Sequence, residues 1–108
     1  MMKRTFRTDK ARLEELIEEA TVDCHDEEEQ MTGFWSCLEE EVVCPFRVSV
    51  AWNETEVIGL NWEDAIAVRC RSGKKTYDID LGSIEFIEPF PKGYEWIEAY
   101  LLWRSRNL

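Results

Sequence analysis

The sequence lacks several features that define common functional classes. No stretch approaches the roughly 20 apolar residues of a membrane-spanning helix, so no association with a membrane is predicted. The first ten residues are charged and contain no apolar signal-peptide core, which predicts a cytoplasmic protein. The glycines are scattered and form neither G-x-G-x-x-G nor G-x-x-x-x-G-K-[ST], so no phosphate-binding loop is expected.

Signals for catalysis and for zinc are also sparse. The single histidine, His25, lies among acidic residues and not in an evident nucleophile–base arrangement. The four cysteines form no C-x-x-C pair, and reduced, mostly buried thiols are favoured over a zinc site built from Cys24, His25, Cys37 and Cys44. A chain of 108 residues leaves little room for a substrate cleft, so no enzymatic activity is predicted.

Lysine and arginine are absent from residues 13–44, although this segment contains twelve carboxylates. The rest of the chain has 11 acidic and 13 basic residues, so the whole negative surplus of the net charge of −10 lies in this block. That charge argues against a surface that binds nucleic acid. Acidic blocks are often disordered tails or solvated faces, but the apolar residues inside this one are periodic, which excludes a tail. The twelve carboxylates are Glu14, Glu15, Glu18, Glu19, Asp23, Asp26, Glu27, Glu28, Glu29, Glu39, Glu40 and Glu41.

This periodicity predicts an antiparallel helical hairpin in residues 1–44. Thr8 or Asp9 can cap a first helix, and Asp26 can cap a second one. Apolar residues recur in both segments at the spacing of a single helical face. They are Leu13, Leu16, Ile17, Ala20 and Cys24 in the first helix and Met31, Phe34, Trp35, Leu38 and Val42 in the second.

The remaining sequence predicts a small β-structure over residues 45–88 and a C-terminal helix over residues 89–108. Five short alternating segments follow Pro45, with turns expected at Asn53-Glu54 and at residues 72–74. This pattern is typical of an SH3-like antiparallel barrel or curved sheet. Together with 44% hydrophobic residues, it predicts one α+β domain spanning residues 1–108.

Some of the acidic residues lie at the predicted start of a helix and others at a predicted helix end, and the helix dipole acts on the two groups in opposite ways. Residues 26–29 start the second helix, where negative charge is favoured by about 0.3–1 kcal/mol. Glu39, Glu40 and Glu41 instead end that helix, and Glu18, Glu19 and Asp23 end the first, where negative charge opposes the helix dipole. A bound Ca²⁺ ion, which takes about 6–8 oxygen ligands, resolves this conflict at both ends.

Two alternatives compete at these acidic positions. Arg4, Arg7, Arg12 or Arg47 can neutralise the acids after folding, in which case no ion is needed. Alternatively, the ion can lie in the interhelical turn, around Asp23 and Asp26. An EF-hand is excluded, because templates that start at Asp23 or at Asp78 both lack the required glycine and the closing glutamate.

Four segments of the sequence are similar to the cyanobacterial calcium-binding protein family (CcbP-like proteins). They are residues 3–24 (KRTFRTDKARLEELIEEATVDC), 26–33 (DEEEQMTG), 42–47 (VVCPFR) and 91–101 (PKGYEWIEAYL). The resemblance implies a cytoplasmic, non-EF-hand Ca²⁺ buffer or sensor of calcium signalling, in a family linked to heterocyst differentiation. The family's acidic position before V-V-C-P-F corresponds to residues 39–41, with Glu40 as the best match, and Glu stands here where Asp is expected.

A different class of function is a metal-independent protein–protein interaction module. In that hypothesis an aromatic patch around Trp52, Trp62 and Tyr77 on the small β-structure binds an unidentified protein partner. Trp residues at alternating strand positions are more often part of the core, so calcium binding is the favoured interpretation.

Overall fold

A computed structural model describes residues 5–51 and 53–107 of the chain. Its helices are α1 (Lys10–Thr21), α2 (Glu27–Glu41) and α3 (Tyr94–Asn107). Its strands are β1 (Phe46–Val50), β2 (Asn53–Trp62), β3 (Ile66–Ser72), β4 (Lys75–Asp80) and β5 (Glu85–Phe86), with a 3-10 turn at Leu81–Ser83. These elements confirm the predicted α+β class, with an N-terminal helix pair, a five-stranded sheet and a C-terminal helix. Within the described residues, no helix is long and apolar enough to cross a membrane.

The sheet is antiparallel throughout, with the strand order β4-β3-β2-β1-β5. Strand β5 returns to the free edge of β1, whereas β4 and β5 do not pair with each other in the described residues. The predicted small β-structure is therefore an open sheet and not a closed barrel.

One of the two predicted turns is displaced. Asn53 and Glu54 belong to β2, where they pair with Val50 and Ser49. The chain reverses at Ala51, whose φ of 48° supplies the positive backbone angle of a tight hairpin. Trp52, the next residue, lies outside the described residues. The other turn is confirmed, since Ser72 pairs with Lys75 across Gly73, which has a φ of 63°.

The core lies between the helices and one face of the sheet. Strand β3 alternates buried Ile66, Val68 and Cys70 with exposed arginines, as its period of two requires. The centre of the helical layer is an aromatic cluster in which the rings of Phe34 and Trp103 are 5.2 Å apart. This burial explains why the acidic block folds, because its periodic apolar residues join a core shared with α3.

Gly33 has a packing role that its position in the middle of α2 does not reveal. A Cβ atom at Gly33 would overlap the carbonyl oxygen of Ala20 in α1. The glycine therefore permits close contact between α1 and α2, which offsets its cost of roughly 1 kcal/mol to helix propensity.

The four cysteines are free thiols, as predicted. Cys70 is fully buried in the sheet, and Cys24, Cys37 and Cys44 are half-buried. In the described part of the chain, no three His, Cys, Asp or Glu side chains come together as a metal-binding group.

Candidate functional site

The acidic end of α2 is exposed and has no basic neighbour within its own helix. Glu39, Glu40 and Glu41 form the last turn, which contains no basic residue. The backbone N–H of Val42 donates to the carbonyl of Leu38, but the N–H of Val43 donates to the carbonyl of Lys92 at 3.0 Å. The Glu39 carbonyl is therefore not used by the residue four positions ahead, and this helix end combines carboxylates with a free main-chain oxygen.

The three carboxylates of this turn point in different directions. Successive helical residues are separated by about 100°, so one ion cannot contact residues 39, 40 and 41 equally. Glu39 follows Trp35 by four residues, and the ring of Trp35 lies 5.9 Å from that of Trp62 in the sheet. Glu39 is thus on the helix flank that faces the sheet, whereas Glu41 follows Cys37 by four residues and lies on a different flank.

Cys37 reports on the electrostatics of that second flank. Burial raises the pKa of the Cys37 thiol, and the negative charges of Glu19, Glu40 and Glu41 raise it further. The pKa of Cys44 is raised by burial alone. Acids from the ends of both α1 and α2 therefore act on one half-buried thiol, which sequence reasoning did not predict.

The interhelical turn holds the other predicted ligands, and it uses some of them for local structure. Asp23 has a φ of 58°, a left-handed conformation that aspartate tolerates better than most residues. Asp26 is the N-cap of α2, as predicted, and its Oδ1 accepts from the backbone N–H of Glu29 at 2.8 Å. Glu29 Oε2 in turn accepts from the N–H of His25 at 3.0 Å. Capping thus explains part of this acidic turn without an ion.

The two acidic groups are separated along α2. A helix of 15 residues is roughly 22 Å long, so Asp26 and Glu41 lie at its opposite ends. Glu18 and Glu19 are both exposed at the end of α1, which also has no basic residue in its last turn. These carboxylates are exposed, and among the described residues no three His, Cys, Asp or Glu side chains form a preformed metal-binding group. A Ca²⁺ ion bound here would therefore need side-chain rearrangement, main-chain carbonyls and water to complete its roughly 6–8 oxygen ligands.

The alternative in which arginines neutralise these acids is wrong for the described residues. Arg7 lies over the ring of Phe90, Arg12 pairs with Glu15 and Glu95, and Arg47 pairs with Glu54. Arg4 is outside the described residues. Within residues 5–51 and 53–107, no ion pair involves the acids at the two helix ends, namely Glu18, Glu19, Asp23, Glu39, Glu40 and Glu41.

A glycine far away in sequence contacts the end of α2. Gly93 has a φ of 90°, and a Cβ atom there would overlap the Glu41 carbonyl. Two segments that carried the family resemblance, around Val43 and around Gly93, therefore meet at the acidic helix end. The P-K-G sequence before α3 was the available signal for this contact, but its partner could not be read from the sequence.

The aromatic patch of the alternative hypothesis is partly used for packing. Trp62 is half-buried against Trp35, and the hydroxyl of Tyr77 lies 3.2 Å from Thr55 Oγ1, to which it donates. Trp52 lies outside the described residues. The patch therefore stays a prediction, and the structure adds no docking surface to it.

Comparisons with known proteins identify a family and a similar fold. A model of the family Calci_bind_CcbP, described as calcium binding, matches residues 14–104. The crystal structure of Anabaena CcbP is similar to this chain with a TM-score of 0.73 at 23% identity, covering 95% of this chain and 96% of that one. A calcium-binding protein in its calcium-binding form gives a TM-score of 0.72 at 23% identity, covering 96% and 97%. No curated protein sequence gave a significant match.

Proposed function

Because this chain belongs to the calcium-binding CcbP family, we propose that it binds Ca²⁺ at the ends of its first two helices, with Glu40 as the principal ligand residue. The observation that supports this site is the set of exposed acids with no ion pair at helix C-termini, in the described residues. The other proposed ligands are Glu39, Glu41, Asp23, Asp26, Glu18 and Glu19.

The physical argument concerns the helix dipoles. Each helix C-terminus carries roughly half a negative charge from its free carbonyls, and the acids add full charges beside it. Their mutual repulsion raises the free energy of the ion-free protein. A bound divalent cation is attracted both by the negative end of the helix dipole and by the acids, and it reduces the repulsion between them. Carboxylates and carbonyls supply the hard oxygen ligands that Ca²⁺ prefers.

The geometry favours two separate binding events over one. Glu19, Glu40 and Glu41 act on the same thiol, so we assign the tighter event to this flank of the helix pair. Asp23 and Asp26 lie at the other end of α2 and can contribute to a second, weaker event. The Asp26 oxygen that caps α2 is already occupied, whereas its second oxygen carries no capping bond.

In the cell we propose that the protein buffers or senses free Ca²⁺ in the cytoplasm. The resemblance of its segments to CcbP-like proteins connects this role with calcium signalling during heterocyst differentiation. We infer ion binding and not catalysis as its activity, since the family is described by calcium binding alone.

Calorimetric titration of the metal-stripped protein with CaCl₂ and with MgCl₂ tests the proposal. Ca²⁺ is expected to bind well ahead of Mg²⁺, because flexible glutamates supply long, irregular contacts, whereas Mg²⁺ needs near-octahedral geometry at about 2.0–2.1 Å. Equal heats and equal affinities for the two ions would show a diffuse counterion cloud in place of a site.

A further inference from the structure

A groove lies between the N-terminal segment and the loop that precedes α3. It has a volume of about 540 Å³, is open to solvent, and is lined by Arg7, Glu88, Pro89, Phe90 and Tyr94. Its lining lies outside the acidic helix ends and includes none of the proposed calcium ligands.

Arg7 is the unusual residue of this groove. Seven arginines lie in the described residues, and six of them form ion pairs: Arg12, Arg47, Arg69, Arg71, Arg104 and Arg106. Arg7 forms none with a described residue, and its guanidinium carbon lies 4.2 Å from the centroid of the Phe90 ring. Arg7 is exposed and lines the groove, and a guanidinium is a group that can bind a carboxylate with two hydrogen bonds.

The fold holds Arg7 in place from two sides. The buried carboxylate of Glu98 in α3 accepts from the backbone N–H of Arg7 at 2.8 Å and from the N–H of Thr8 at 3.0 Å. The Thr8 hydroxyl donates to the same carboxylate at 2.6 Å. Because the backbone is fixed by Glu98 and the side chain by Phe90, little conformational entropy is lost when Arg7 binds a partner.

Aromatic rings form the rest of the recognition surface. The rings of Phe90 and Tyr94 meet edge to face with centroids 5.3 Å apart, and Phe86 lies 5.9 Å from Phe90. Both Phe90 and Tyr94 line the groove and are half-exposed, so each has surface left for contact with a partner.

We propose that this groove binds an acidic segment of a partner protein. A carboxylate of the segment pairs with Arg7, and an adjacent aromatic side chain packs against Phe90 and Tyr94. Charge complementarity argues for this occupant, because Arg7 is the one described arginine without an ion pair. The segment needs a single carboxylate placed on Arg7, whereas a polyanion such as nucleic acid would also face Glu88 in the lining and the net charge of −10.

The test uses amide NMR of the full-length ¹⁵N-labelled chain, titrated with the peptide acetyl-Gly-Trp-Glu-Gly-amide and with its Gln analogue. EGTA is present throughout, so that Ca²⁺ cannot bridge the peptide to the acidic helices. The Glu peptide is expected to shift the amides of Arg7, Phe90 and Tyr94. The Gln analogue is expected to bind about fivefold more weakly, which is the effect of a partly exposed ion pair.

Two matched variants test whether Arg7 is the residue that pairs with the carboxylate of the peptide. The Arg7→Gln variant should bind the Glu peptide about fivefold more weakly than the unchanged protein does. Arg47→Gln, which makes the same charge change on the exposed face of the sheet, should leave its affinity unchanged. The proposal is overturned if neither peptide binds, if both bind equally, or if the two variants behave alike. Shifts at these amides that grow with protein concentration alone would identify a second copy as the occupant and would also overturn it.

Discussion

Glu28 and Glu40 carry the same charge at opposite ends of one helix. Glu28 lies in the first turn of α2, beside a capped N-terminus, whereas Glu40 lies in the last turn among other acids. Their surroundings therefore give identical side chains opposite relations to the helix dipole. At the residue scale, the helix dipole favours the negative charge of Glu28 and opposes that of Glu40.

Glu40→Gln is expected to weaken the tightest Ca²⁺ binding event more than Glu28→Gln does. Both substitutions keep the shape of the side chain and remove one charge, so Glu28→Gln is the matched control. Calorimetric titration of the two variants with Ca²⁺ compares their affinities and so distinguishes a site at the end of α2 from one in the interhelical turn. If Glu28→Gln proves the more damaging change, the ion lies in the interhelical turn around Asp23 and Asp26.

Cys37 provides a chemical probe of the same flank. Burial raises the pKa of this thiol most and the nearby acids raise it further, so Ca²⁺ bound by Glu40 and Glu41 should lower the pKa by offsetting the effect of the acids. At a fixed pH near 8 the thiolate fraction then rises, and alkylation of Cys37 by iodoacetamide is expected to become faster. Cys44, whose pKa is raised by burial alone, is the internal control and should keep its rate. An unchanged rate at Cys37, followed by mass spectrometry, would place the ion elsewhere.

At the element scale, the end of α2 depends on the loop before α3. The Val43 N–H donates to the Lys92 carbonyl, and Gly93 leaves space for the Glu41 carbonyl. These contacts fix the direction in which the chain leaves the acidic turn. The position of the last carboxylates is therefore set by two elements that are about 50 residues apart in sequence.

Gly93→Ala tests this dependence. The added Cβ meets backbone atoms at a positive φ, so we expect a loss of stability of about 1–3 kcal/mol and weaker Ca²⁺ binding. Gly73→Ala is the control, because Gly73 also has a positive φ but has no atom near its Cβ position. It should lower the free energy of unfolding less and leave Ca²⁺ affinity unchanged. Denaturant unfolding and calorimetry measure both effects, and equal losses of affinity would contradict the assigned contact.

The helix pair as a unit is expected to be the least stable part of the ion-free protein, since its acids repel one another. Hydrogen exchange should slow on addition of Ca²⁺ mainly in residues 13–44 and change little in residues 46–86. Mg²⁺ at equal ionic strength should do far less, because screening does not require coordination. Uniform protection, or protection confined to the sheet, would mean that the acidic block is a solvated face.

At the scale of the whole molecule, the charge is divided between two kinds of surface. The exposed face of the sheet balances its charges through cross-strand pairs such as Arg69 with Asp78 and Arg71 with Glu56. In the helix pair, the described ion pairs of the acidic block involve Glu14 and Glu15 near the start of α1. The largest groups of acids without an ion pair among the described residues thus lie at the ends of α1 and α2.

Calcium binding is therefore expected to raise the stability of the whole fold. At a hundredfold excess over the dissociation constant the increase is about 2.7 kcal/mol, if the unfolded chain does not bind the ion. For a domain of this size the midpoint of thermal unfolding then rises by roughly 10–20 °C. Thermal unfolding with Ca²⁺ and with Mg²⁺ measures the difference, and equal shifts would indicate nonspecific screening.

Local order in this protein was predictable because it depends on neighbours in sequence. Apolar periodicity and turn signals located the three helices and five strands of the described residues, and Asp26 was correctly assigned as a helix cap. The turn at Ala51 was predicted two residues too late, because its position does not depend on neighbours in sequence alone. Strand pairing sets where a hairpin reverses, and pairing is not encoded in either strand alone.

The sequence by itself determined that twelve acids lie on a helix pair without a base among them, and that two groups of them end a helix. Only the tertiary structure decided where the arginines go, because an ion pair such as Arg106 with Glu14 joins residues about 90 positions apart. It also decided that Gly93 contacts the end of α2 and that Glu19, Glu40 and Glu41 share the surroundings of Cys37. Charge and periodicity are properties of the chain, whereas the partners of a charge follow from how whole elements pack.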